Sequence, residues 1–89
     1  MLQNFGTTDI VLGMTYVEQI AGNVRAEMGR RHITQKELAP QIGISQVQLS
    51  SRLNCRVEFK PSELEKIAEL FELPVSVLTA PTSLSPEVV

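Results

Sequence analysis

The side chains best suited to molecular recognition lie in a short polar stretch near the middle of the chain. Five of them are uncharged and form hydrogen bonds: Gln46, Gln48, Ser50, Ser51 and Asn54. An amide donates and accepts at once and a hydroxyl can do either, which suits the donor and acceptor pattern on the edges of DNA bases. A helix face that only meets water usually carries Glu and Lys instead. The stretch therefore indicates base recognition, and the alternative is a helical hairpin with a purely structural role.

Catalysis and metal binding receive little support from the sequence. His32 is the only histidine and Cys55 the only cysteine. We recognise no Ser/His/Asp set, no cluster with metal-ligand spacing and no glycine loop that could cradle a phosphate. The sequence therefore predicts a protein that is not an enzyme and that uses no metal, no cofactor and no small-molecule ligand.

The charged residues are distributed unevenly around a net charge of −2. Residues 25–60 contain seven basic side chains against three acidic ones, a balance of +4. Residues 61–89 contain one lysine against five glutamates, a balance of −4. A basic middle is the electrostatic footprint of a surface that meets phosphate. On charge alone, an ordinary solvated surface explains the pattern equally well.

Four capping boxes mark the starts of helices. In this motif a Ser or Thr side chain and a Glu or Gln three residues later each satisfy the other's backbone N–H. The pairs are Thr15/Glu18, Thr34/Glu37, Ser45/Gln48 and Ser62/Glu65. Each is followed by apolar residues at helical spacing, which predicts an all-α fold.

The apolar spacing predicts helices at about 16–31, 35–42, 46–53 and 63–72, and a short closing turn at 75–78. Pro40 removes one hydrogen bond from the second helix and leaves room for a kink there. The predicted core is mainly aliphatic: Val17, Ile20, Ala21, Val24, Met28, Leu38, Ala39, Ile42, Leu49, Leu53, Leu64, Ile67, Ala68 and Phe71.

The predicted domain extends over residues 15–79. Residues 1–14 are expected to be an N-terminal arm, flexible or with an extra turn, and residues 80–89 a disordered tail. We find no secretory signal and no apolar run near the roughly 18 residues of a membrane span, and a lone cysteine fits a reducing compartment. These observations favour a cytoplasmic protein that does not bind membranes.

Residues 35–54 have the features of two short helices joined by a tight turn. Ala39 is small where the two helices should approach, and Gly43 can adopt the positive φ that such a turn requires. Ile44, Leu49 and Leu53 then supply the apolar contacts that fix the second helix of the pair.

The same stretch resembles the Cro/repressor-type (XRE-like) helix-turn-helix family of bacteria and their phages. The resemblance covers about residues 16–79 and is carried by Val24-Arg25, Thr34-Gln35-Lys36-Glu37-Leu38-Ala39, Gly43-Ile44-Ser45-Gln46, Leu49-Ser50, Ile67-Ala68 and Leu73-Pro74-Val75-Ser76. It implies a five-helix, phage-repressor-like domain whose third helix enters the major groove of double-stranded DNA. It implies no particular operator.

By position, the resemblance implies two sets of DNA contacts. Base reading is expected from Gln46, Val47, Gln48 and Ser51. Contacts to the sugar-phosphate backbone are expected from Gln35, Lys36, Ser45, Ser50, Arg52, Asn54, Arg56 and Lys60. Gln48 and Ser50 could serve either set, and Val47 could meet a thymine methyl group or only shield the turn.

Three residues depart from the family pattern. Met28 stands where many relatives have arginine, Arg52 where an apolar residue usually points inwards, and Cys55 where a glycine usually ends the third helix. We expect the stem of Arg52 to pack while its head reaches the surface. We also expect Asn54 to adopt the left-handed cap in place of Cys55.

These features favour a DNA-binding transcriptional regulator, expected to be a repressor of phage or mobile-element type. The alternative is a protein-interaction adaptor or antitoxin-like partner on the same fold, suggested by the acidic overall charge and the apolar residues after helix four. A homodimer that reads two half-sites would use those same residues, which otherwise close the core: Leu73, Val75, Val77 and Leu78.

Overall fold

The computed structural model describes residues 15–81, which form five α-helices and no strand. The helices are α1 (Tyr16–Arg31), α2 (Gln35–Gln41), α3 (Gln46–Leu53), α4 (Pro61–Phe71) and α5 (Val75–Thr79). The all-α, five-helix fold is thereby confirmed. The expectations for the arm at 1–14 and for most of the tail, 82–89, lie outside the described residues.

Three of the four capping boxes begin helices at the predicted residues. The Thr15 hydroxyl accepts from the Glu18 backbone N–H at 3.1 Å, and the Glu18 carboxylate accepts from the Thr15 N–H at 2.9 Å. The same reciprocal bonds start α2 and α3. Because each box satisfies N–H groups that no helix turn can reach, it fixes where the helix starts.

The fourth predicted capping box, at Ser62 and Glu65, is wrong. α4 begins earlier, at Pro61, with Lys60 as its N-cap. Proline suits the first helical position because its φ is already helical and its missing N–H would have had no partner there. Glu63 accepts from the Lys60 N–H at 3.0 Å, so the carboxylate that caps this helix is two residues earlier than expected.

α2 continues through Pro40 and ends at Gln41, one residue before the predicted end. A proline at this position removes only the bond to the carbonyl four residues earlier. Ile42 follows as the C-cap, and its N–H bonds to the carbonyls of Leu38 and Ala39. The helix is therefore stabilised on both sides of the proline, by its capping box and by these closing bonds.

Three helices are followed by a residue with positive φ that is not glycine: His32 (53°) directly after α1, Glu72 (58°) directly after α4, and Cys55 (65°) two residues after the end of α3. The expectation that Asn54 takes this conformation after α3 is wrong, since Asn54 has φ −95° and Cys55 follows in the left-handed region. Cys55 thus occupies the backbone conformation that glycine adopts at low cost.

The buried core is Ile20, Ala21, Val24, Met28, Leu38, Ala39, Ile42, Leu49, Leu53, Phe59, Leu64, Ile67, Ala68, Phe71 and Leu78. The predicted core residues are confirmed except Val17, which is half-buried. Phe59 was missed because it lies in the loop before α4, where no helical spacing marks it. Within residues 15–81, no helix is long and apolar enough to cross a membrane.

α1 connects the two parts of the helical domain. It lies against both α3 and α5, while α2 packs on α3 and α4 on α5. The Asn23 side chain donates to the carbonyls of Leu78 and Ala80 at 2.9 and 2.7 Å, which joins the end of α5 to α1. α3 is therefore supported on two sides, by α1 and by α2.

Candidate nucleic-acid interface

The turn between α2 and α3 fixes the angle at which α3 leaves the core. Gly43 has φ 80°, a conformation that side chains disfavour. The Ile44 N–H then bonds back to the Ala39 carbonyl at 3.1 Å. Ala39 and Leu49 are almost completely buried, so the two helices meet through a small residue and a leucine. This local structure orients the polar face of α3 outwards.

The first turn of α3 exposes three of the four base-reading candidates. Gln46 and Gln48 are exposed, and Val47 is 76% exposed. The Gln48 side chain also accepts from the Ser45 N–H at 2.8 Å, so its carbonyl oxygen has a structural role. Ser51, one turn further along, is half-buried. The outer surface here is uncharged and mostly accessible.

Arg25 links α1 to the other end of α3. Its Nη2 donates to the Leu53 carbonyl at 3.2 Å and to Asn54 Oδ1 at 3.0 Å. The Asn54 amide in turn donates to the Ser50 hydroxyl at 3.3 Å. Two backbone-contact candidates, Ser50 and Asn54, are therefore oriented by one cation. Sequence reasoning missed this role because Arg25 and Asn54 are 29 residues apart.

The same arginine faces the start of α2. Arg25, Thr34 and Gln35 line one shallow depression together with Met28 and Leu53. Gln35 is half-buried there, and Lys36 next to it is exposed. The structure thus brings the start of α2 and the end of α3, which are distant in sequence, to one edge of the domain.

The expectation that the head of Arg52 reaches the surface is wrong. The residue is 6% exposed, and its Nε and Nη2 donate to the two carboxylate oxygens of Glu63 at 2.7 and 3.1 Å. Its Nη1 donates to the Gln48 carbonyl at 3.1 Å. A guanidinium buried and paired in this way is not available to a phosphate group. Arg52 is therefore no longer a candidate for contacts to the DNA backbone.

The electrostatics of Glu63 follow from this pairing. Burial raises the pKa of the carboxyl, but the hydrogen bonds from Arg52 and from the Lys60 backbone, with the positive charge of Arg52, outweigh it and lower the pKa. Glu37 is a simpler case: hydrogen bonds from the backbone and then the side chain of Thr34 lower its pKa in the capping box.

The basic side chains divide into structural and surface groups. Arg30 and Arg31 pair with Glu27 at 2.6 and 2.5 Å. Arg31 also donates to the Phe71 carbonyl at 2.9 Å and lies 4.5 Å from the centre of the Phe71 ring. The positive balance of residues 25–60 is therefore partly used in holding helices together. The exposed basic candidates for backbone contacts are Lys36, Arg56 and Lys60.

The remaining site assignments stay predictions, and the geometry is consistent with them at the level of exposure. Within residues 15–81 no three His, Cys, Asp or Glu side chains come together in a way that could hold a metal ion. What the site presents is a hydrogen-bonding surface with exposed cations, formed by the first turn of α3, the start of α2 and the segment between α3 and α4.

Comparison with known proteins identifies these helices as a helix-turn-helix domain. A family model described as helix-turn-helix matches residues 24–78, more than half of the chain. The SOS-response transcriptional repressor LexA from Eubacterium rectale superimposes with a TM-score of 0.71 at 19% identity, over 83% of this chain and 79% of that one. No curated protein matches the sequence.

Two further solved structures have the same fold. The hypothetical transcription factor NHTF from Neisseria gives a TM-score of 0.70 at 25% identity, over 75% of this chain and 77% of that one. The clp gene regulator ClgR from C. glutamicum gives 0.67 at 20% identity, over 73% and 84%. All three similarities extend over most of both chains, so they concern the whole arrangement of helices.

Proposed function

The chain belongs to the XRE-type helix-turn-helix family, and from this premise we propose that it binds double-stranded DNA sequence-specifically and regulates transcription as a repressor. α3 enters the major groove, which is wide enough to admit a helix. The observation that carries the proposal is the first turn of α3. It exposes two glutamines and a valine with no charged side chain among them, and such a surface can form hydrogen bonds and apolar contacts with base edges.

In this proposal Gln46, Val47, Gln48 and Ser51 read the bases. Gln46 follows the N-cap and is therefore the first residue of α3. The N-terminal residues of a recognition helix are the ones that contact base edges. Its amide is suited to a bidentate contact with adenine, and the exposed Val47 to a thymine methyl group. Gln48 keeps its NH₂ group for DNA, because its carbonyl oxygen serves the capping box.

Backbone contacts in this proposal come from the exposed or half-buried side chains around that turn. Lys36, Arg56 and Lys60 supply positive charge to the phosphates. The neutral members of the set are Gln35, Ser45, Ser50 and Asn54. Their hydrogen bonds to phosphate fix the register of α3 on the duplex and carry no sequence information.

The repressor assignment, and the phage or mobile-element type, rest on the family resemblance of residues 16–79. A domain seated in the major groove excludes other proteins from the same base pairs. The solved structure of LexA is named as a transcriptional repressor, which supports repression on this fold. Occupancy alone is then sufficient for regulation.

A homodimer that reads two half-sites about one helical turn apart is also proposed, with a smaller interface than the sequence suggested. Leu78 is fully buried and Leu73 packs against the core, so both belong to the fold of one protomer. Val75 and Val77 are each 37% exposed and form the apolar surface left for a partner copy. An inverted repeat in the DNA that the protein selects supports this part of the proposal.

Binding-site selection from random duplexes, followed by titration at several salt concentrations, tests the proposal. With three exposed cations of each protomer on phosphates, the slope of log K against log[salt] should be near −3 for every protomer bound, about −0.9 for each cation. Lys60→Ala should weaken selected and random duplexes alike and make the slope shallower by about one for every protomer bound. Failure to bind any duplex refutes the proposal and favours the adaptor reading.

A further inference from the structure

We infer that the buried Arg52–Glu63 ion pair is a positioning element for DNA binding. It holds the base-reading turn of α3 and the phosphate-contacting segment 54–60 in one fixed relation. The inference rests on the proposed function and adds to it two residues that touch no DNA themselves. Their role is to make the two kinds of contact meet the same duplex at the same time.

The pair forms a continuous hydrogen-bonded path between the two surfaces. On one side, Arg52 Nη1 donates to the carbonyl of Gln48 at 3.1 Å. On the other, Glu63 Oε1 accepts both from Arg52 Nε at 2.7 Å and from the Lys60 backbone N–H at 3.0 Å. A base-reading candidate and a phosphate-contacting candidate are thus connected through only two side chains.

The segment between the helices is fixed at both of its ends. At its start, the N–H groups of Cys55 and Arg56 bond to the carbonyls of Arg52 and Ser51 at 3.1 and 2.9 Å. At its end, Phe59 is buried in the core and Lys60 is held by Glu63. The first part therefore follows α3 and the last part follows α4, so the segment keeps its shape only if α3 and α4 keep their relation.

Stability alone is a poor explanation for an ion pair at this place. Arg52 and Glu63 are 6% and 5% exposed, and desolvation offsets most of the attraction between such buried charges. An apolar pair of similar volume often stabilises a core as well or better. What the pair adds is direction, because the planar guanidinium meets the carboxylate through two parallel bonds that tolerate little sliding or rotation.

The decisive variant combines Arg52→Met with Glu63→Gln. Methionine fills the space of the arginine stem, and glutamine can still accept from the Lys60 N–H, so α4 keeps its cap while the connection to α3 is lost. The double variant should remain folded and should bind the selected duplex roughly tenfold more weakly or worse, the loss of about one good polar contact. Its salt slope should be shallower by about one, since Lys60 no longer meets phosphate in register.

Two further variants separate positioning from structure. Glu27→Gln neutralises another buried, arginine-paired glutamate, on α1, and should lower stability while leaving DNA affinity unchanged. Arg52→Lys keeps the charge but loses the two parallel bonds, and should weaken binding to the selected duplex by less than about tenfold. This variant tests the inference even if the double variant fails to fold. NMR order parameters of residues 54–60, measured without DNA, should fall in both Arg52 variants.

The outcomes are distinguishable. If the wild-type chain binds a selected duplex and the folded Arg52 variants bind it with the same affinity and salt slope, the inference is overturned and the proposed function stands. If the wild-type chain binds no duplex at any salt concentration, the proposed function is overturned, and the inference falls with it. Weaker binding by a folded variant whose segment 54–60 has become mobile supports both.

Discussion

The two ends of α3 are held in different ways. At the N-terminal end, Ser45 and Gln48 satisfy each other's backbone groups through a local capping box, and the side chains around them are exposed. At the C-terminal end, Arg25 reaches over from α1 and Glu63 from α4. The helix is thus anchored by distant partners at one end and left accessible at the other.

This difference separates two requirements that a recognition helix must meet. A helix can read DNA only if its contact surface is free, and it can read one sequence only if that surface is held in a fixed orientation. Here the free surface and the fixing contacts belong to different turns of one eight-residue helix. Substitutions at the anchored end should therefore change stability and DNA affinity together, whereas substitutions at the accessible end should change sequence preference with little effect on stability.

Removing Arg52 should have the largest effect, because it breaks the anchored end and leaves Glu63 as a buried charge without its partner. We expect Arg52→Ala to lower the free energy of unfolding by about 3–5 kcal/mol, measured by urea denaturation at neutral pH. The matched control is Arg30→Ala, which removes an exposed partner of Glu27 and should cost no more than about 1 kcal/mol. Equal losses from the two variants would contradict the comparison.

Lowering the pH should also reduce the stability that the Arg52–Glu63 pair provides, by less than the substitution of Arg52 does. The pKa of Glu63 is lowered in the folded chain from its ordinary value of 4.5, so the folded state favours the carboxylate more than the unfolded state does. The stability from this group is complete above pH 4.5 and is lost as the pH falls through the lowered folded pKa. Urea denaturation between pH 7 and pH 3 should show a smaller decline for Glu63→Gln than for the wild-type chain. Parallel declines would remove Glu63 as the cause.

Truncating Gln46 should sharpen the comparison from the accessible end. Gln46→Ala should lower the preference for the selected site over random DNA by about 1–3 kcal/mol, because a bidentate base contact is lost. The melting temperature should hardly change, since the side chain is exposed. Gln41→Ala is the matched control, because it removes another exposed glutamine side chain that is not part of the proposed DNA surface. The Gln41 side chain bonds back to the Glu37 carbonyl and lines a depression together with Leu70 and Phe71. Equal weakening of selected and random binding would mean that α3 does not read bases through this residue.

The smallest effect is expected just beyond the anchored end, at Cys55. Glycine adopts its φ of 65° without strain, so Cys55→Gly should stabilise the chain by roughly 0.5–1 kcal/mol. Cys55→Ala keeps a Cβ at this positive φ, and with it the backbone strain, so it should give no such gain. Thermal unfolding of the two variants side by side checks this, and a gain from alanine equal to that from glycine would show that backbone strain is not the reason.

Sequence reasoning succeeded where the physical cause is local. α1 and α3 have the bounds that the capping boxes and apolar spacing predicted, because both signals act within a turn or two of the chain. α4 shows the limit of such signals. Ser62 and Glu65 match the capping box, yet Pro61 fits the first helical position, so the helix starts earlier in the sequence than predicted.

The parts that could not be predicted depend on residues far apart in sequence. The role of Arg25 at Asn54 is a contact over 29 residues, and the position of Arg52 was misjudged because its partner was unknown. A lone arginine on an inward helix face is compatible with a surface head group or with a buried pair, and the sequence does not name the acid. The family resemblance identified Arg52 as unusual without indicating what accommodates it.

The hydrogen bonds of Asn23 have a practical consequence for how the protein can be tethered. Asn23 and Arg25 are two residues apart on α1, which turns their side chains about 200° away from each other around the helix. Arg25 meets the end of α3, whereas Asn23 holds the carbonyls of Leu78 and Ala80. Residue 80 therefore lies on the side of α1 opposite the proposed DNA surface. A fluorophore, bead or fused domain joined after residue 81 would begin there and leave the groove-facing helix unobstructed.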